Sequence, residues 1–218
     1  MSDRVSTYET TIALIRHGLI DYSEAWQEQR RIHGEVAQMK RANTLVLLQH
    51  PSVYTAGRRY DVSERPQNGA PVIDVDRGGR ITWHGPGQLV GYPIVRLAKP
   101  TELVGFVREI EAGLTLVCAE FGIKAHCIKG RSGVWIRDDK GDRKIAAIGI
   151  RVAQGVTMHG FALNVSPDLS AFEQIIPCGI NDADVTSMQK ELAHPITIEE
   201  VSPVLERHIF ESLKRVCR

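Results

Sequence analysis

The chain has 218 residues, 27 of them Lys or Arg and 26 Asp or Glu, for a formal net charge of +1, with 43% hydrophobic and 24% charged positions. A chain of this length buries enough surface to fold without a metal or disulfide staple, and its balanced charge lacks the basic surplus a nucleic-acid partner demands. No apolar run approaches the roughly 18 residues of a membrane span, and the N-terminal stretch lacks the basic and apolar regions of a secretory signal, so the expected compartment is the cytoplasm.

Asp21 followed by Glu24 reads as a helix start, and Tyr22, Ala25, Trp26, Ile32, Val36 and Met39 share one face of a helix over 21–40. Leu45 to Leu48, between Asn43 and the His50-Pro51 break, is too short for a helix and reads as a strand buried on both faces. Segments 72–76 and 89–95 are strand candidates ahead of a second, structural helix over 101–121. That helix turns Leu103, Val107, Ile110, Leu114, Val117 and Phe121 inward and ends at Gly122. Further strands are expected at 133–137, 144–152 and 156–165, with Asp138 to Asp142 as a hairpin turn. Val201, Val204, Leu205, Ile209, Leu213 and Val216 keep helical spacing, and either Ser202 caps a short helix or Pro203 kinks one begun at Thr197. With no repeat or linker, 1–218 reads as one α+β domain with helices packed on a mixed sheet.

Cys118, Cys127, Cys178 and Cys217 form no CxxC pair and are expected as free thiols, Cys118 and Cys217 on helices; no metal site is expected. His126, His159 and His194 have no ligand spacing and read as satisfied or exposed polar residues. The stretch from Arg77 to Ile94, RGGRITWHGPGQLVGYPI, is on spacing alone a strand hairpin with tight turns. Its glycines also clear room for a ligand while Arg77, Arg80, Thr82 and His84 offer hydrogen-bonding heads. Strict alternation puts Lys144 in line with Ala146, Ile148 and Ile150, either heading an apolar face or snorkelling to water. Cys178, before Gly179, has backbone N–H groups at hand as oxyanion donors, although cysteine counts alone favour an inert buried thiol.

The pattern Arg77-Gly78-Gly79-x-x-Thr82-Trp83-His84-x-x-Gly87-Gln88-x-Val90-x-Tyr92 resembles the signature of the lipoyl(octanoyl) transferases, the octanoyl-[acyl-carrier-protein]:protein N-octanoyltransferases. Lys144 to Gly149, His159 to Asn164 and Pro177 to Ile180 agree in order, so the resemblance runs from about Leu45 to Ser187. It implies a fold similar to biotin protein ligases and lipoate-protein ligases, a mixed sheet flanked by helices with a smaller sheet beside it. It implies Cys178 as acyl-thioester nucleophile and Lys144 as its partner. Substrate would be bound by Arg77, Gly78, Gly79, Arg80, Ile81, Thr82, Trp83 and His84, by Ala147, Ile148 and Gly149, and by Gly160, Phe161 and Ala162.

The implied reaction takes octanoyl from octanoyl-acyl carrier protein and passes it to a lysine of an apo lipoyl domain, in 2-oxoacid dehydrogenases or the glycine cleavage H protein, with no cofactor and no ATP. A cation in contact lowers a thiol's pKa from about 8.5 by about 1 to 3, which suits the Cys–Lys pair. Burying the seven carbons beyond the carbonyl is worth on the order of 5 kcal/mol, and Gly78, Gly79, Ala147, Gly149 and Ala162 are small enough to leave a tunnel. The acidic carrier calls for a basic patch, for which Arg58, Arg59 and Arg143 are candidates. Two other readings share part of the pattern: an ATP-dependent lipoate- or octanoate-protein ligase, which needs no Cys, and a noncatalytic binder of acylated carriers. Pro177-Cys178-Gly179 and Gln88 speak against the ligase.

Overall fold

Asp21 caps the first helix, as its spacing from Glu24 predicts: its carboxylate accepts from the amides of Ser23 and Glu24. Helix α1 then runs Tyr22–Ala37 in the computed structural model, which describes residues 11–66, 68–99, 101–175 and 183–217. Tyr22, Ala25, Gln29, Ile32 and Val36 turn inward. Met39, expected on that face, lies beyond the helix at φ 58° and is 82% exposed, because the chain has already turned towards the next strand.

Strand β1, Ile12–Leu19, precedes the helix and was not foreseen; its half-buried residues show no clean alternation. It pairs in parallel with β2, Asn43–Gln49, whose unbroken apolar run is explained by helices on both faces. Val46 and Leu48 face α1, while Leu45 and Leu47 face the opposite core. Strands β3 (Val53–Ala56), β4 (Val72–Asp74) and β5 (Ile81–His84) form a separate small sheet in the order β4-β3-β5. Strand β6, Gln88–Ile94, returns to the large sheet beside β2. The segment from Arg77 to Ile94 is therefore no hairpin: β5 pairs with β3, and the Gly85 to Gly87 turn carries the chain between sheets.

Helix α2 spans Leu103–Glu120. It is followed by β7 (Ala125–Ile128), β8 (Arg131–Asp138), β9 (Gly141–Ala153) and β10 (Val156–Asn164). The hairpin at 138–142 forms as expected, with Asp138 opposite Gly141. After β10 come a 3₁₀ turn at Leu169–Gln174, the short β11 (Asp184–Val185), helix α3 (Met188–Leu192) and helix α4 (Ile198–Val216). The large sheet reads β1-β2-β6-β10-β9-β8-β7, with β11 added against β9, and its pairings are both parallel and antiparallel. Helices α2 and α4 cover the face opposite α1, where Phe106, Ile110, Leu114, Leu205, Ile209 and Leu213 meet Ile145 and Leu163.

Helix α4 is capped by Thr197, whose hydroxyl accepts from the Glu200 amide while the Glu200 carboxylate accepts from the Thr197 amide. Ser202 is not a cap; its hydroxyl donates to the Ile198 carbonyl. Pro203 sits inside the helix on its exposed side, where it forfeits one backbone hydrogen bond. Burial of Val201, Leu205, Ile209 and Leu213 on the other side outweighs that cost. Cys217 lies just past the helix in extended backbone rather than within it. No described helix is long and apolar enough to cross a membrane.

Candidate active site

The small sheet and the large one meet around a cavity of about 470 Å³. Alternation along β5 decides which of its residues reach it. Ile81 and Trp83 turn into a cluster with Tyr54 and Phe172, where the Trp83 and Phe172 rings meet edge-on at 5.4 Å and Trp83 Nε1 donates to Ser52 Oγ at 2.9 Å. Thr82 and His84 turn the other way and line the cavity with Arg77, Gly79 and Arg80. From the large sheet come Lys144, Ala147, Ile148 and Gly149 on β9, and Gly160, Phe161 and Ala162 on β10. Of the residues singled out from the sequence, Gly78, Ile81 and Trp83 do not line the cavity, and Cys178 lies outside the described residues. The chain rejoins β9 at β11, where Val185 stands opposite Lys144.

Arg77 is buried, and its guanidinium is engaged by protein oxygens: Nη2 donates to the Thr55 carbonyl and Oγ1 at 2.8 and 2.9 Å, and Nη1 to the Arg80 carbonyl at 2.8 Å. It ties the glycine loop to β3. Gly79 holds φ +90°, a conformation an L side chain resists. A Cβ on Gly149 would meet the Gly78 carbonyl at 3.0 Å and Arg77 Cδ at 3.1 Å. The small residue there serves the approach of the loop to β9 as much as any tunnel.

Lys144 is 6% exposed, and its Nζ stands 4.6 Å from the Trp135 ring centroid. It does not share the face of Ala146 and Ile150, as strict alternation predicts. The β8–β9 register passes from Trp135↔Lys144 to Val134↔Ala146, so Ile145 is an extra residue, and Ile145 and Ala146 both enter the helix-side core. Lys144 is thereby turned to the cavity side with Ala147 and Gly149. Beneath the irregularity Gly133 adopts φ +108°, its amide held by the fully buried carboxylate of Glu111 at 2.9 Å, and Arg108 pairs with the same carboxylate. Glu111→Ala leaves that amide without its acceptor and is expected to cost about 2 to 3 kcal/mol in urea denaturation; a loss below about 0.5 kcal/mol would show that Gly133 needs no anchor.

His159, read from the sequence as an ordinary polar residue, lines the cavity at 1% exposure and carries a left-handed φ of +59°. A non-glycine residue held there is backbone strain sustained by its surroundings. Here the surroundings are the Gln29 side chain, which accepts from the His159 amide at 3.0 Å, and Asp76, which accepts from Nε2 at 2.7 Å. Burial pushes the His159 imidazole down to about 4 despite Asp76, and pushes His84 down to about 3, with His50 adding to the latter. Partial burial works against the Asp76 carboxylate, yet His159, Arg151 and Arg30 hold it below the usual range. Burial also raises the Tyr22 phenol to about 12 and pushes the Tyr92 phenol well above its ordinary range. Tyr22, Tyr92, Arg59 and His159 belong to the lining without having been singled out for it. For His159 the signal was its place directly before the Gly160-Phe161-Ala162 match; Tyr22 was legible only as a core-facing helix residue.

Arg143, a candidate for a basic patch, is buried and bridged to Asp138 at 2.7 Å and Glu191 at 3.0 Å, so its charge is spent inside the protein. Arg58 and Arg59 remain exposed. Burial raises Cys118 and Cys217 to about 12, and Cys127 is exposed away from the cavity lining. No group of three or more His, Cys, Asp or Glu among the described residues could hold a metal.

The family model of the lipoyl protein ligase A/B catalytic domain matches residues 21–210. An octanoyltransferase of Salinispora arenicola is 56% identical over 207 residues, covering 94% of this chain and 97% of that protein. Among solved structures, a bi-partite lipoate protein ligase of Thermoplasma acidophilum superposes at a TM-score of 0.68 with 16% identity, covering 93% of this chain and 84% of that one. A biotin protein ligase of Aquifex aeolicus superposes at 0.53 with 14% identity, covering 94% and 70%. At those identities the two structures speak to fold alone. The chain belongs to the octanoyltransferases, within the lipoyl protein ligase A/B catalytic-domain family.

Proposed function

We propose that this acyltransferase takes an octanoyl group from octanoyl-acyl carrier protein and transfers it to a lysine of an apo lipoyl domain through a thioester on Cys178. The observation that carries the reading is Lys144, a buried basic side chain turned into a cavity where Ala147, Gly149, Gly160 and Ala162 leave room for an acyl chain. A cation favours a thiolate beside it, and a cavity of this size accepts a medium-length acyl chain. The Cys178 thiolate attacks the donor thioester, the oxyanion being held by backbone N–H groups next to Gly179. The C–S bond to the carrier's pantetheine breaks, and the carrier leaves as a thiolate that takes a proton from solvent. The acceptor amine then attacks the octanoyl-enzyme, loses a proton and releases the Cys178 thiolate, leaving an amide. Both acyl bonds broken are thioesters, so ATP has no step to drive. We assign the whole chain to this one catalytic unit and its setting to the cytoplasm, where thiols stay reduced. The acceptors fitting the reading are lipoyl domains of 2-oxoacid dehydrogenases and the glycine cleavage H protein, and the exposed Arg58 and Arg59 are kept as cations facing the acidic carrier.

The test is intact mass after incubation with octanoyl-acyl carrier protein: the expected result is one octanoyl added without ATP. An adduct that requires ATP would replace this reading with a ligase, and association without an adduct would replace it with a binder.

Ala147 lines the cavity from β9, so Ala147→Phe fills part of it and is expected to shift donor preference from C8 towards C6, overpacking costing about 1 to 3 kcal/mol. Competition among C6, C8 and C10 donors reads this out, and unchanged selectivity in a folded variant would remove β9 from the acyl wall. Gly79→Val is a less clean probe, since its φ of +90° already penalises a side chain.

A further inference from the structure

Two hydrogen-bond relays run from backbone carbonyls to the cavity. The first begins at the Thr186 carbonyl, which can only accept; it faces Asn164 Nδ2 at 2.9 Å. Asn164 Oδ1 must therefore face Gln88, whose Nε2 donates to it at 2.8 Å. The Trp83 carbonyl, 3.5 Å from the same Nε2, agrees with that orientation. Gln88 Oε1 is then the atom that meets His84 Nδ1 at 2.6 Å, so Nδ1 carries the proton. His84 Nε2 is left as a bare lone pair on a cavity-lining ring. The second relay begins at the Ile20 carbonyl, which takes the Nδ1 proton of His50 at 2.8 Å. His50 Nε2 must accept from the Tyr92 hydroxyl at 2.7 Å, which spends the only proton of Tyr92 and leaves its remaining lone pairs to the cavity.

His159 also keeps a spare lone pair, but not one that the cavity reaches. Its Nε2–H is given to the Asp76 carboxylate, and its buried Nδ1 has no hydrogen-bond partner. Two polar side chains lining one cavity, His84 and Tyr92, thus have only lone pairs to offer. An octanoyl chain has no donor to offer them. The N–H groups in this chemistry are the incoming lysine amine and the amides of the carrier's pantetheine arm.

We propose that His84 and Tyr92 form a hydrogen-bond-acceptor site for a substrate N–H, with Gln88, Asn164 and His50 as positioning residues that lock its polarity. The proposal rests on the transferase reading for the identity of the substrate, but not for the polarity of the site. Lys144 lies on the same framework, because the Thr186 amide donates to the Lys144 carbonyl at 2.9 Å. The site and the proposed cationic partner of Cys178 are therefore held in one register.

The intact chain labelled with ¹⁵N-histidine gives the first measurement. His84 and His50, assigned by the signals lost in His84→Asn and His50→Asn, are expected as neutral Nδ1–H tautomers at neutral pH; an Nε2–H tautomer or an imidazolium at His84 would overturn the proposal. Asn164→Leu, which frees Gln88 to turn over, is expected to change the His84 tautomer signal, a response that a merely space-filling Asn164 would not produce. Single-turnover rates give the second measurement. His84→Asn retains a donor towards Gln88 but deletes the Nε2 lone pair, and Tyr92→Phe deletes the oxygen. Each is expected to slow one half-reaction by roughly tenfold, the scale of one lost hydrogen bond. Loss confined to amine transfer identifies the lysine as the N–H donor, and loss confined to acylation identifies the pantetheine amides. Equal slowing of both steps, or no change in either, would overturn the site. A wild-type chain that forms no octanoyl-enzyme at all would refute the transferase reading while leaving the tautomer result standing.

Discussion

Cys178→Ala is expected to lower octanoyl transfer by on the order of 10⁴-fold or more, the loss typical of a deleted covalent nucleophile, while Cys118, Cys127 and Cys217 variants keep their turnover. Cys118 and Cys217 are packed in the core, where burial pushes both up to about 12, so at neutral pH they are neither charged nor reachable. Cys127 is exposed, but its partner is the Thr115 hydroxyl at 3.7 Å, and it does not line the cavity. Cys178 is the thiol whose chain neighbours carry the family match, and the strand that follows it docks Val185 opposite Lys144. Peptide mapping of the octanoyl-enzyme should place the acyl group on the peptide containing Cys178. Recovery of it on Cys127, or a Cys178→Ala variant with more than about one-hundredth of normal turnover, would show that the nucleophile lies elsewhere.

Much of the fold was legible because its elements follow single-period rules. The Asp21 cap, the apolar run of β2 and the Asp138 to Asp142 hairpin each depend on a few adjacent residues, and all three form where expected. What escaped depends on partners distant in sequence. Strands β1, β3 and β7 are short or half-buried, and they exist because β2, β5 and β8 offer them an edge. The step from β5 to β6 between two sheets looks in sequence like a hairpin turn, since local spacing is silent about which strand each half will join. At the site, the extra residue Ile145 inverted the face assigned to Lys144. No pattern in 144–150 announces it, because the irregularity is fixed from across the sheet by Gly133 and, behind it, Glu111. His159 heads a matched segment, but its role becomes visible only in the fold, when Asp76, 83 positions away, takes one of its nitrogens.

Lys144→Arg is expected to separate the two half-reactions: acylation by the carrier slowed about tenfold or less, and transfer to the lipoyl domain slowed about a hundredfold or more. The guanidinium retains the positive charge that favours a thiolate and can still lie against the Trp135 ring that Lys144 now faces at 4.6 Å. The first half-reaction asks for little else. In the second, the proposed thiolate has been consumed, and the step needs a base rather than a cation. The acceptor amine arrives carrying a proton that it must lose before it can attack. In the proposed mechanism Lys144 is the base that takes it, whereas a guanidinium does not give up its own proton and so cannot receive another. The polar lining beside it fits that division of labour, since His84, pushed down to about 3, has a lone pair to accept a hydrogen bond but is too weakly basic to hold the proton. Single-turnover acylation with octanoyl-acyl carrier protein, followed by chase of the isolated octanoyl-enzyme with an apo lipoyl domain, measures the steps one at a time. Equal losses in both would mean that Lys144 only orients the site, and that the proton leaves the acceptor amine by another route.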